Sequence, residues 1–508
     1  MVEAKDAEIA GLRAERDADR EMIRRLGLRL AELERRLDMD SSDSGTPSSK
    51  ERIGVKEARR ARQQSERERS KDRKRGGQPG HQGKGLERDP DPADRRDAVP
   101  PAECRSCRAP LDGAVAAGSR WAQVIDVAFA RTVTEWALPG LSCPCCGAVT
   151  FADPPPGVHQ GSVSYGPALN AAAVLLSCYG NVPPERAAQV MGMLLGIEVS
   201  AGWVDKAAAR VSARLGDAGF DAAMLAALAA EDVLAADETP VNVLGSSSSP
   251  APAGEEEADP EEKDGKAAAG APHALITRTP DGRLTYLQAI ASRRKGPAAA
   301  AVPAGFTGYL ITDGYAGYQH LLSRLADIGQ CAQHVIRRCR AVTKLGPGGV
   351  QSWAGDVIAV LRGAHAAVSA ARARGDTALD PQVLDELRER HGTAVRSGII
   401  HNRLRAWDSG NHPGYALGCW LRDYKEQVFL FTREFAVSWT NNVSERGAKA
   451  AKRHQAVSGY WHSLATLARW CRLRSYLDTA AAHGVTAIDA IRDAIEGKPW
   501  LPPLPAIS

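Results

Sequence analysis

The chain has 508 residues, about three domains' worth at roughly 150 residues each. Lys and Arg exceed Asp and Glu by only four, so the whole is no polycation and any nucleic-acid footprint must be local. Charged residues make up 25% and hydrophobic ones 44%, ordinary for a globular protein. No apolar run approaches the ~20 residues of a spanning helix. The N-terminus is charged from its third residue and lacks the apolar core of a signal peptide, so a cytoplasmic protein with no membrane partner is expected.

In chain order, residues 1–40 carry Ile9, Leu12, Ile23, Leu26, Leu30, Leu33 and Leu37 on three- and four-residue steps, the a/d pattern of a coiled coil, with Arg16 and Asp19 interrupting the seam. A single amphipathic helix is the alternative. Apolar periodicity then vanishes over 41–98, which reads as a basic disordered linker. Twelve Lys and Arg stand against five Asp and Glu between Lys50 and Arg75. Such a cluster, ending in Arg73, Lys74 and Arg75, is either a solvated tail or a DNA-backbone contact that gains affinity by releasing counterions.

Five of the ten cysteines fall within 104–146. Cys104-x-x-Cys107 and Cys143-x-x-Cys146 can each offer two thiolates to one tetrahedral zinc, and WAQVIDVAFA and TVTEWALPG between them read as strands. A zinc-ribbon-like domain over 99–152 is therefore expected, against the alternative of free thiols. Residues 153–228 are Ala- and Leu-rich and helical. Within them PPERAAQVMGMLLGIEVSAGWVDKAAARV, with Ser200 as an N-cap, reads as a helix-turn-helix or as two packed helices without groove contact.

From 229 to 475 the pattern becomes strands and helices. DVLAADETPVNVL, HALITRTP and RLTYLQAIA read as an antiparallel meander, followed by GYLITDGYAGY and IGQCAQHV. An acidic insertion poor in apolar residues spans 245–272, a helical insertion spans 340–432, and a helix begins near Asn442. Residues 476–508 form a C-terminal helical tail. Cys178, Cys419 and Cys471 read as packing residues.

Three carboxylates stand out. Asp237 lies in AADETP, Asp313 follows GYLIT, and Glu445 opens the helix NNVSERGAKAAKRH. Singly, each is as readily a cap or turn former. Together, two aspartates on neighbouring strands and a glutamate on a helix across the sheet can converge on two divalent ions that assist displacement at a phosphodiester. Oxygen ligands suit Mg²⁺. Lys449, Lys452 and Arg453 share the helical face of Glu445 and can hold a DNA backbone, the alternative being a solvent-facing basic stripe.

In that order DETP, TDGYAGY, CAQHVIRR and NNVSERGAK resemble the insertion-sequence-66 family of bacterial transposases. The resemblance extends to the N-terminal coiled coil, SSDSGTPSS, RGGQPGHQGKG, the two knuckles, LRSYLDTAAAHGVTAIDAI and GKPWLPP. It implies a multidomain α+β protein whose RNase H-like catalytic core carries a helical insertion and a DDE triad of Asp237, Asp313 and Glu445 binding two Mg²⁺ or Mn²⁺. It implies that Cys104, Cys107, Cys143 and Cys146 bind one structural Zn²⁺. The implied activity is hydrolysis at the transposon ends, then strand transfer of the 3′-hydroxyl into target DNA. A bacterial, nucleoid-associated homodimer or higher oligomer is expected, with companion proteins of the element as further partners. Lys449 stands where many relatives have Arg, and contacts phosphate as a point charge instead of a bidentate fork. CAQHVIRRC matches the family's Cys-x-x-His variant, so His334 is either active-site support or a hydrogen-bonded core histidine. The rival function is an inactive DNA-binding repressor or bridging protein derived from a transposase, against which the three intact acids argue.

Overall fold

The computed structural model describes residues 16, 19, 22, 87–127, 129–155, 163–244, 272–292, 302–345, 349–405, 407 and 410–503, with the backbone alone at 442–446. Most of the heptad segment, the basic stretch with Arg73, Lys74 and Arg75, and residues 245–271 lie outside these. Arg16, Asp19 and Met22 are helical. Among the described residues one compact unit ends at Val133 and another begins at Thr134.

The strands expected in WAQVIDVAFA and TVTEWALPG do not form: among the described residues of this stretch none is in a strand before Gly140. Val124, Val127, Phe129 and Val133 are exposed, and alternation yields a stable strand only where one face is buried against a partner layer. What forms instead is a short antiparallel hairpin of β1 (Gly140–Ser142) and β2 (Val149–Phe151) around the second cysteine pair.

After this hairpin the larger unit continues with helices α1 (Pro167–Val174), α2 (Pro184–Leu195), α3 (Ala201–Asp217) and α4 (Phe220–Ala229). Pro184 starts α2 and left-handed Gly196 ends it, while Ser200 caps α3 by accepting from the Trp203 N–H at 3.1 Å. A five-stranded mixed sheet follows: β3 (Val233–Pro240), β4 (His273–Arg278), β5 (Thr285–Ile290), β6 (Tyr309–Thr312) and β7 (Asp327–Gln330). Its spatial order is β5-β4-β3-β6-β7. The first three strands make the antiparallel meander read from the sequence, and β6 and β7 run parallel to β3. Helices α5 (Ala332–Thr343), α6 (Ser352–Arg374), α7 (Pro381–Asn402) and α8 (Pro413–Asp423) come next, then short turns to Arg433. The chain closes with α9 (Asn442–Ser458), α10 (Leu464–Ala482) and α11 (Ala487–Ile495).

Strand alternation sends side chains to two cores. Leu234, Ala236, Leu275, Leu310 and Ile328 meet the N-terminal helices together with α10 and α11. Val233, Ala235 and Ile311 face the opposite side, under α5 and the helical insertion. Further along that side Ala274, Ile276 and Leu287 meet Ala448 and Ala451 of α9. The outer edge of β5 is closed by a helix instead of a strand. Buried Ser475 and Thr479, one turn apart on α10, accept from the N–H groups of Leu287 (2.7 Å) and Thr285 (3.1 Å), satisfying donors an open edge leaves unpaired. Cys178 and Cys471 are buried and Cys419 is half-buried.

Candidate active site

Register places the acids. Asp237 pairs with Ile276 across β3 and β4, and paired residues share a face, so Asp237 points to the side covered by α9. On the other flank Ala235 pairs with Ile311 in the parallel β3–β6 ladder. Asp313 follows β6 directly, two residues beyond Ile311, and with Glu238 and Asp237 it is among the carboxylates whose charge bears on buried Tyr318. Each carboxylate is oriented by its own backbone: Asp237 Oδ1 accepts from the Glu238 N–H at 3.0 Å, and Asp313 Oδ1 from the Tyr315 N–H at 3.0 Å. The turn after Asp313 needs Gly314, whose φ is +97°. A Cβ there would lie 3.2 Å from Gln330 Oε1 and 3.3 Å from the Trp420 ring.

Glu445 lies in the first turns of α9, which packs over β3 and β4. Gly447 makes the approach close, because a Cβ at that position would sit 3.1 Å from Ile276, the register partner of Asp237. Ala448 and Ala451 are buried beneath the helix, whereas Lys449 and Arg453 are exposed and Lys452 is half-exposed. His334 occupies the first turn of α5, at the edge of the sheet where β3, β6 and β7 end.

Several residues of this region escape a reading by motif. Fully buried Tyr318 donates to Glu238 Oε2 at 2.9 Å, tying the segment after Asp313 to the strand of Asp237. Burial, then the Glu238 carboxylate, keeps the Tyr318 phenol protonated. Trp420, from the helical insertion, lies over Gly314 and carries the Arg338 guanidinium 4.4 Å from its ring centre. Buried Asn441 spans 2.8 Å to the Ala236 carbonyl. The repeated tyrosines of TDGYAGY hint at Tyr318, but nothing local marks Trp420 or Asn441, whose partners are distant in sequence.

The two cysteine pairs are folded alike, each within its own unit. The Cys104 N–H donates to Ala109 O at 2.8 Å and the Arg108 N–H to Cys104 O at 2.9 Å; the same two bonds join Cys143 to Ala148 and Gly147 to Cys143, at 2.8 and 2.9 Å. Arg108 takes φ +60° where Gly147 takes +71°. Backbone N–H groups of Cys107 and Ser106 point at the Cys104 sulfur and lower its pKa, and those of Cys146 and Cys145 do so for Cys143. Among the described residues, to which the side chain of Glu445 does not belong, no set of three or more His, Cys, Asp or Glu converges as a metal site.

The helical layer, the sheet, the insertion and α9 together form a stretch recognised as a transposase. The model of the transposase IS66 family matches residues 162–468, more than half of the chain, and the chain belongs to that family. The match stops short of both cysteine pairs. No curated protein matches the chain. Among the described residues no helix is long and apolar enough to cross a membrane.

Proposed function

We propose that the chain is a DDE-type DNA transposase with an RNase H-like core, in which Asp237, Asp313 and Glu445 hold two Mg²⁺ or Mn²⁺ ions. The observation that supports this reading is the pairing of β3 with β4 and β6, which turns Asp237 to the face covered by the helix of Glu445 and ends β6 one residue before Asp313. The donor set fits hard divalent ions: carboxylate oxygens held in place by backbone N–H groups. Bound there, the ions supply charge stabilisation to the oxygens of a phosphodiester undergoing in-line displacement. The protein's own part is to align the carboxylates and to hold the DNA backbone, for which exposed Lys449 and Arg453, with Lys452, stand on the helix of Glu445. Water is the nucleophile at the element ends, and the 3′-hydroxyl released there attacks target DNA. Zinc is the ion proposed for the two cysteine turns, Cys104 with Cys107 and Cys143 with Cys146, each of which offers two sulfurs and, at Cys104 and Cys143, a thiol whose pKa backbone N–H groups lower.

The test is cleavage and strand transfer on DNA carrying the flanking element ends, in Mg²⁺ or Mn²⁺, with wild type beside Asp313→Asn. End cleavage with joined products, lost in the variant, is expected. Tight end binding without cleavage by the wild type in either metal would replace this reading with that of an inactive DNA-binding derivative.

A further inference from the structure

Three backbone segments must be held together for the proposed acids to meet, and one pair of buried residues touches all three. Cys331, 1% exposed at the end of β7, donates its N–H to the carbonyl of Thr312, the residue before Asp313, at 2.9 Å. Its sulfur accepts the N–H of Asn441 at 3.1 Å. Asn441, also 1% exposed, donates its side-chain amide to the carbonyl of Ala236, the residue before Asp237, at 2.8 Å. Asn441 is itself the residue from which α9 starts, four positions before Glu445. One further bond, from the Ala332 N–H to Trp439 O at 2.9 Å, fixes the approach to that helix.

The chemistry of Asn441 is unusual for its place. An asparagine at a helix N-cap ordinarily accepts from the N–H of the second or third helical residue, a contact worth about 1 kcal/mol. Asn441 makes no such cap, and among the described residues its buried Oδ1 meets no hydrogen-bond partner. The side chain forgoes its local role and spans to β3 instead. We propose that Asn441 and Cys331 form a clasp that positions Asp237, Asp313 and Glu445 relative to one another, acting through the backbone and touching neither metal nor DNA. This inference rests on the reading of those three acids as the metal-binding triad.

The clasp is tested in the full chain with Asn441→Ala, Cys331→Ala and the conservative Cys331→Ser, which keeps an acceptor for the Asn441 N–H. Hydrogen exchange is followed over 236–239, 312–315 and 442–446, and Mn²⁺ affinity is measured by electron paramagnetic resonance, with Asp237→Asn as the reference. In Asn441→Ala, exchange should rise at the three segments together while the N-terminal helices stay protected. Mn²⁺ affinity should fall about tenfold or more, the loss usual for a removed supporting contact. Cys331→Ala should weaken it in the same direction and Cys331→Ser should retain most of it. Exchange and Mn²⁺ affinity unchanged in Asn441→Ala, with binding lost in Asp237→Asn, would overturn the clasp alone. Exchange rising uniformly over the whole chain would also overturn it, by showing a general loss of stability. Absence of Mn²⁺ binding in the wild type would instead be the failure of the catalytic reading, and would remove the clasp's role with it.

Discussion

Asp237 and Asp313 were legible as residues because each sits in a short motif that ends an apolar strand, and both strands form where the pattern puts them. Asn441 was not, since an asparagine before a helix reads by default as a cap. His391 was equally silent in the sequence. It lies on α7 with no solvent exposure, edge-on to Phe429 at 5.2 Å, and among the described residues neither ring nitrogen has a hydrogen-bond partner. Burial, with a smaller contribution from Lys425, pushes its pKa down from 6.5 to about 4. The folded value is below the unfolded one, so the neutral ring stabilises the fold fully above pH 6.5. That stability is lost as pH falls towards 4, where the loss levels off at about 3 kcal/mol. His412 and His454 are depressed by burial in the same direction, so a difference measurement is needed. Between pH 7 and 5 the urea stability of His391→Leu should fall about 2 kcal/mol less than that of the wild type. Equal pH slopes in the two proteins would show that His391 does not titrate differently on folding.

At the scale of elements, the core strands and the helix at Asn442 follow from apolar alternation and motif, whereas the two strands expected between the cysteine pairs do not exist. The difference is physical: β3 to β7 each find buried neighbours on both faces, and the segment around Val124 to Val133 finds none among the described residues. Alternation states which residues want burial and leaves open whether a partner layer is there to provide it. Two turns of unrelated sequence, ECRSCRAP and SCPCCGAV, adopt the same pair of backbone bonds and the same left-handed residue after the second cysteine. The proposed zinc would take two sulfurs from each of these turns. Elemental analysis should find about one zinc per chain, lost in Cys104→Ser with Cys143→Ser. Zinc unchanged in that double variant would remove the metal from these turns, and about two per chain would mean that each turn works separately.

For the molecule as a whole, the sheet is the frame on which everything else is arranged. Its order, with an antiparallel meander on one side and two parallel strands on the other, puts β3 in the centre, between β4 and β6. Helices from both ends of the chain pack on one face, the N-terminal helices meeting α10 and α11. The opposite face is covered by α9 and the insertion. The order of the motifs along the chain foreshadowed this assembly; the long-range ties that hold it, between Asn441 and Ala236, Tyr318 and Glu238, and Ser475 and Leu287, join residues 205, 80 and 188 positions apart and leave no local pattern to read. Asp237, Asp313 and Glu445 are proposed to surround one metal site. Fe²⁺ supplied in place of Mg²⁺, with ascorbate and hydrogen peroxide, generates radicals that cut the backbone beside the bound ion. Cuts clustered near all three acids, suppressed by excess Mg²⁺ and lost in Asp313→Asn, are the predicted result. Cuts confined to one of the three segments, or falling elsewhere in the chain, would contradict it.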